Sequence, residues 1–380
     1  MIKTPSGSSF HRLLRPISGG FTVAIALLVL WHLYAFPSTN THLVAAPKDV
    51  PERKPHLAKP SKRVIPNLVH FVYMLKDPES ELAFDFSAFL SVYAAWHYWH
   101  PDAIYLHTDA PNQTISRARD GLSGKWSKLL FSMPGFQVKH ATSPTHAGNG
   151  AEINLMEHKS DFVRVQAVRE FGGTYIDFDA HALRDIKVLR EAGFNAIGGR
   201  QLGGQVMSGT IMSRKGSKMI NLWAEEMPRV YDGGWVTHSN EVITRVGEKL
   251  VAEPGEMLIM EREAFGPGSW EAEDLTRLYE PHMDTPSSLE GIDPGGRLPS
   301  YGADSPGTGN YSESTPSWAT NWSRTYILHA FGTKRSGTKV EGFDHISPRY
   351  VLERRSNFAR AVYPIAKILY DRGLIDVNDL

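Results

Sequence analysis

Cysteine is absent from the 380 residues. That single fact excludes a disulfide scaffold, thiolate metal sites, dithiol redox motifs and a cysteine nucleophile. It does not set the compartment, because a chain of this length can bury a sufficient core without bridges. Excess charge of either sign is also absent: 41 Lys and Arg balance 41 Asp and Glu. With no net positive field to hold a polyanion, a dedicated nucleic-acid binder is disfavoured. There is no internal repeat, no collagen-like glycine period and no sustained heptad. Only one apolar run is long enough to span a bilayer, so a polytopic membrane protein is excluded. What remains is ordinary for a large globular domain, with 41% apolar and 22% charged residues.

The single long apolar run is residues 17–36, ISGGFTVAIALLVLWHLYAF, which holds no Asp, Glu, Lys or Arg. Twenty helical residues span about 30 Å, the thickness of a bilayer core. Lys3, Arg12 and Arg15 precede it with no acid among them. The positive-inside rule then keeps a tail of residues 1–16 in the cytosol and sends the rest to the lumen as a single-pass type II protein. A cleaved signal peptide ending near Ala45-Ala46 is the alternative. Residues 37–63 carry five prolines and six basic residues and read as an extended stalk. Sequons at Asn112, Asn310 and Asn321 suit N-glycosylation in a Golgi or ER lumen.

From residue 64 to 380 short apolar runs alternate with helical patterns. Strands are expected at 65–74, 103–109, 136–141, 174–180, 195–199, 205–213, 257–262 and 326–331. Helices are expected at 82–99, 153–173, 217–231 and 357–371. That alternation predicts an α/β fold with a mainly parallel central sheet and a ligand site at the strand C-terminal ends. Residues 284–320 are dominated by Gly, Ser, Pro and Thr and read as a flexible loop insertion.

The informative stretch is SDFVRVQAVREFGGTYIDFDA, residues 160–180. Asp161 and Arg164 stand three residues apart on a predicted helix and share a face. Gly172 and Gly173 stop that helix. Strand alternation then places Tyr175, Asp177 and Asp179 together, with Ile176 and Phe178 facing the other way. Two carboxylates so close repel each other and call for a compensating cation, and hard oxygen ligands suit Mn²⁺ or Mg²⁺. Further on, Gly209 lies in a small-residue segment that allows close backbone approach to a ligand and reads equally well as an ordinary turn and strand. In THSNEV, residues 237–242, Ser239 is read as a helix N-cap and Glu241 is left out of the site.

The pattern Ser160-Asp161-x-x-Arg164, then Gly172-Gly173-x-Tyr175-x-Asp177-x-Asp179, resembles glycosyltransferase family 32, the DXD-motif sugar transferases that include fungal α-1,6-mannosyltransferases. Pro66 to His70 resembles that family's opening strand. The resemblance implies a GT-A-like, Rossmann-related domain and a retaining hexosyltransferase. By that resemblance Asp179 and Asp177 bind the metal, Asp177 also touching the ribose or donor sugar. Asp161 and Arg164 hold sugar hydroxyls, Tyr175 packs near the nucleotide, His70 lies beside its base, and Gly172, Gly173 and Gly209 are further substrate-contacting positions. A late polar residue completes the metal shell, and His329 is the candidate. The implied donor is GDP-mannose, with UDP-sugars as alternatives, and the acceptor is a glycan or glycolipid. Two competing readings are a catalytically degenerate, membrane-tethered sugar-binding protein and an Asp-x-Asp phosphohydrolase. The latter wants Thr or Val where His181 stands.

Overall fold

The computed structural model describes residues 63–77, 79–301 and 315–380. The expected tail, anchor, Asn310 and all of the stalk but Arg63 lie outside the described residues. Among the described residues no helix is long and apolar enough to cross a membrane.

The strands are β1 (Leu68–Tyr73), β2 (Ala103–Thr108), β3 (Phe136–His140), β4 (Gly173–Ile176), β5 (Ala180–Ala182), β6 (Ala196–Arg200), β7 (Val206–Ser213), β8 (Met257–Met260) and β9 (Ile327–His329). The longer helices are α1 (Phe86–Trp99), α2 (Asn112–Asp120), α3 (Lys125–Phe131), α4 (Met156–Phe171), α5 (Lys218–Val230), α6 (Val242–Val251), α7 (Ala272–Tyr279) and α8 (Asn357–Asp371). Seven strands form one mixed sheet in the order β3-β2-β1-β4-β7-β6-β8, and β5 pairs with β9 in a second small sheet. β7 runs antiparallel to β4 and β6, while the other pairings in the large sheet are parallel.

This layout follows from local sequence. β1 and β7 are near-continuous apolar or small runs, as expected for strands covered on both faces. α1 starts where Asp85 Oδ1 accepts the Ala88 N–H at 2.8 Å. α5 starts in the same way at Ser217. Apolar side chains from α1 and α8 pack with one set of core residues, and those of α4, α5 and α6 pack with another.

The topology also locates a site. The chain moves outward from β1 through β2 to β3, then returns to β4 on the other side of β1. The parallel register pairs His70 with Tyr175, so the C-terminal ends of β1 and β4 lie side by side. That reversal of strand order opens a crevice beyond the strand ends, where α/β sheets bind ligands.

Two sequence expectations change. The predicted strand 174–180 stops at Ile176, and Phe178 and Asp179 form a turn closed by Ala180 N–H donating to Asp177 O at 3.0 Å. Residues 180–182 then pair with β9 instead of extending the large sheet. The described parts of the 284–320 segment are also tied down. Thr320 N–H donates to Asn357 Oδ1 at 2.6 Å, and Tyr363 Oη to Pro299 O at 2.8 Å.

Candidate active site

The turn after β4 decides the geometry. Asp177 N–H donates to Gly209 O at 2.9 Å, which carries the pairing with β7 one residue past the strand end. Phe178 then turns away and stacks on Phe71, ring centres 4.9 Å apart. Pairing of Ala180 with His329 brings the end of β9 beside Asp179. His329 Nε2 sits 3.1 Å from Asp179 Oδ1 and 3.8 Å from Asp177 Oδ2. One ligand atom from each of Asp177, Asp179 and His329 lies within 4.8 Å of the others. Burial disfavours a charged His329, but Asp179, by charge and hydrogen bond, and Asp177 outweigh it and raise its pKa.

Gly209 makes that cluster sterically feasible. A Cβ there would lie 2.6 Å from Asp177 Oδ2 and 2.8 Å from the His329 ring. The cluster fits a divalent cation: two carboxylates and an imidazole converge, and hard oxygen with borderline nitrogen donors suits Mn²⁺ or Mg²⁺.

On the α4 side of the cavity Arg164 is the organising group. Its Nη2 reaches Asp161 Oδ1 at 3.2 Å and Asp177 Oδ1 at 3.3 Å. Its Nη1 donates to Ser208 O at 3.2 Å. The guanidinium carbon lies 4.6 Å from the centre of the Tyr175 ring, a cation–π distance. Burial would favour its neutral form, but Asp177, Tyr175 and Asp161 reverse that and raise its pKa, so it stays charged. Tyr175 Oη donates a short hydrogen bond to Asp177 Oδ1. Burial pushes the Tyr175 pKa well up, which keeps it a proton donor.

These groups line a cavity of about 810 Å³, a size typical of small-molecule sites. Asp161, Arg164, Tyr175, Asp177, Asp179, Gly209 and His329 all face it. Trp235 and Trp270, both substantially exposed, stand at its edge.

His70, Gly172 and Gly173 are not cavity-lining residues, contrary to the expectation of substrate contacts there. His70 is fully buried; its Nε2 bonds Gly172 O at 2.7 Å and its Nδ1 meets His107 Nε2 at 3.0 Å. A carbonyl accepts only, so Nε2–H donates to Gly172, and Nδ1 must then accept from His107. Gly172 and Gly173 have φ of 69° and 112°, a conformation that side chains resist. Their work is the sharp turn from α4 into β4.

Ser239 is not the N-cap expected from sequence. Residues 237–241 form a π-helical turn that runs into α6, and the Ser239 hydroxyl donates backwards to Trp235 O and Val236 O. The same turn holds Asn240, whose Oδ1 accepts from Ser208 N at 3.0 Å. It also holds His238, whose Nε2 bonds Asp161 Oδ2 at 2.9 Å. Sequence reading missed His238 and the Ser208 carbonyl, since neither carries a spacing signal.

Residues 91–201 match the family described as the glycosyltransferase sugar-binding region containing a DXD motif. The match spans α4, the Gly-Gly turn and both aspartates. This part of the chain is thus similar to DXD-motif glycosyltransferases. Glucan organizing enzyme 1 of Cryptococcus neoformans var. grubii serotype A is 24% identical over 246 residues, covering 61% of this chain and 63% of that protein. The chain thus spans less than two thirds of that relative's length. Two solved structures are similar in part. PaToxG glycosyltransferase is 14% identical, covers 51% of this chain and 71% of its own, and has a TM-score of 0.34. The apo form of the glycosyltransferase GlyE from Streptococcus pneumoniae TIGR4 is 14% identical, covers 81% and 64%, and has a TM-score of 0.35. The matched region supplies Asp161, Arg164, Asp177 and Asp179, whereas Gly209, His238 and His329 come from beyond it.

Proposed function

We propose that the protein is a metal-dependent, retaining hexosyltransferase with a GT-A-like domain. It moves a sugar, mannose as the first candidate, from a nucleotide donor to a glycan or glycolipid acceptor in the Golgi lumen. The carrying observation is the convergence of Asp177, Asp179 and His329 within 4.8 Å on a cavity that Arg164 and Asp161 also face. Asp177, Asp179 and His329 would hold the cation, which when bound supplies Lewis-acid neutralisation of the diphosphate leaving group.

The remaining roles belong to the chain's own groups. Arg164 keeps its charge and, with Asp161, orients donor hydroxyls, fixing the sugar before reaction. Asp177 is shared between Arg164, Tyr175 and the cation cluster, so it couples sugar orientation to the diphosphate end. Retention is assigned to front-face attack, with the departing phosphate taking the acceptor proton. This scheme needs no protein nucleophile: Asn240 lines the cavity with its Oδ1 accepting from Ser208 N, and Glu241 is exposed and lines a different surface hollow.

The test is a screen of the full chain with GDP-mannose, UDP-glucose, UDP-galactose and UDP-N-acetylglucosamine, with and without Mn²⁺. Turnover of one donor that needs the metal, and that falls at least a hundredfold in Asp179→Ala, is the expected result. Full turnover by Asp179→Ala, or equal rates in chelator, defeats the assignment. Fractionation of the full chain with membranes, lost on deleting residues 17–36, tests the anchor.

A further inference from the structure

The charged cluster at Arg164 has a support that the motif does not contain. Asp161 uses one carboxylate oxygen for Arg164 and the other for His238 Nε2, at 3.2 and 2.9 Å. His238 itself never reaches the cavity. It is fully buried, and aromatic rings wall it in. Phe162 lies parallel to it at 5.6 Å, Tyr231 crosses it edge-on at 5.0 Å, and His158 at 4.7 Å. Its backbone is pinned too, since Trp223 Nε1 donates to His238 O at 3.1 Å.

A ring so confined cannot follow a moving partner. It therefore offers Asp161 a donor at a fixed point. The same π-helical turn reaches Arg164 by a second route. Asn240 Oδ1 accepts the Ser208 N–H, and the Ser208 carbonyl accepts from Arg164 Nη1. One five-residue turn thus braces both ends of the guanidinium fork. Single turns of π-helix recur at functional sites, where an extra residue re-aims side chains. Here the wider turn lets residues 238 and 240 serve two targets.

We infer that His238 is a positioning residue of this glycosyltransferase: it fixes the Asp161 carboxylate, and through it the Arg164 guanidinium that faces the donor sugar. The inference rests on the donor-orienting role proposed for Arg164. It differs from a packing role in one respect. A residue that merely fills the aromatic cage is replaceable by another ring, whereas a positioning residue is replaceable only by a donor at the Nε2 point.

Two substitutions in the full chain separate these. His238→Phe keeps the ring and removes the donor; His238→Gln places an amide N–H near the former Nε2. The first readout is independent of turnover. Restricted-rotation guanidinium signals of Arg164 in the ¹⁵N-labelled protein, assigned by their loss in Arg164→Lys, are expected to collapse in His238→Phe and persist in His238→Gln. The second is kinetic. With the four nucleotide sugars and Mn²⁺, kcat is expected to fall at least tenfold in His238→Phe and to recover to within threefold of wild type in His238→Gln. Asp161→Asn combined with His238→Phe should be no slower than Asp161→Asn alone, because both break one link.

Should the His238→Phe protein fail to fold, His238→Leu carries the same expectations. Persistence of the Arg164 signals in a folded His238→Phe or His238→Leu protein overturns the inference, as does a His238→Gln protein whose signals collapse. If wild type turns over none of the four donors, the transferase reading fails while the guanidinium signals still decide the positioning role.

Discussion

Glycines at two positions in this domain do unlike work, and substitutions tell them apart. The nearest atoms to a Cβ at Gly209 would be side-chain atoms, those of Asp177 and His329. Gly209→Ala is expected to leave the fold intact, by circular dichroism and melting, while weakening Mn²⁺ binding at least tenfold in a calorimetric titration. Unchanged metal affinity would show that the cluster does not need that opening. At Gly173 a Cβ would lie 2.5 Å from the backbone oxygen of Leu68, and φ is already 112°. Backbone cannot rotate aside as a side chain does. Gly173→Ala is expected to cost about 2–4 kcal/mol of stability, read from the denaturation midpoint.

Among the elements, the joint between α4 and β4 carries the site, and a pair of histidines ties it to β1 and β2. His70, pushed down to about 4 by burial, donates to Gly172 O. His107, pushed down to about 3 by burial, by the cost of a second cation beside His70 and by the Lys139 charge, donates to His70. Both are held neutral in the native state. The unfolded chain binds protons near pH 6.5, so it gains protons first as pH falls, and folding stability falls with it. The contribution is complete above pH 6.5 and is lost progressively from there towards about 4. Denaturation midpoints across that window should drop in wild type and drop less steeply in His70→Gln. Parallel curves for the two proteins would place the acid sensitivity elsewhere. The joint also fixes α4: Asp161 and Arg164 lie one turn apart on a helix whose end the two glycines and His70 hold in place.

For the whole molecule, the site is assembled from segments far apart in the chain, and ligand binding should therefore stabilise all of it. Mn²⁺ with GDP or UDP at about 100 times the dissociation constant is expected to add about 2.7 kcal/mol, seen as a raised melting temperature. Asp179→Ala should abolish the increment, and a chelator should reverse it in wild type. A shift that survives in Asp179→Ala would put the nucleotide elsewhere. The mixed sheet contributes by aligning the ends of β1 and β4, while the small β5–β9 sheet delivers His329 from 150 residues beyond Asp179.

Much of this was written locally. Apolar runs bounded by turn residues located β1, β2, β3, β6, β7, β8 and the helices α1, α4, α5 and α8 to within a few residues, because burial and backbone periodicity act over short spans; the shorter α2, α3 and α7 were not expected. The spacing Asp161-x-x-Arg164 and the paired aspartates marked side chains that the structure brings to one cavity, and the two glycines marked the turn between them. The turn at 177–179, the pairing of 180–182 with 327–329, the withdrawal of His70 from the cavity and the bond from His238 to Asp161 were not legible. Each depends on which segment arrives opposite another, and that is settled when distant parts compete to satisfy the same buried polar groups. Local spacing chose the acids and the arginine; only tertiary packing chose their partners.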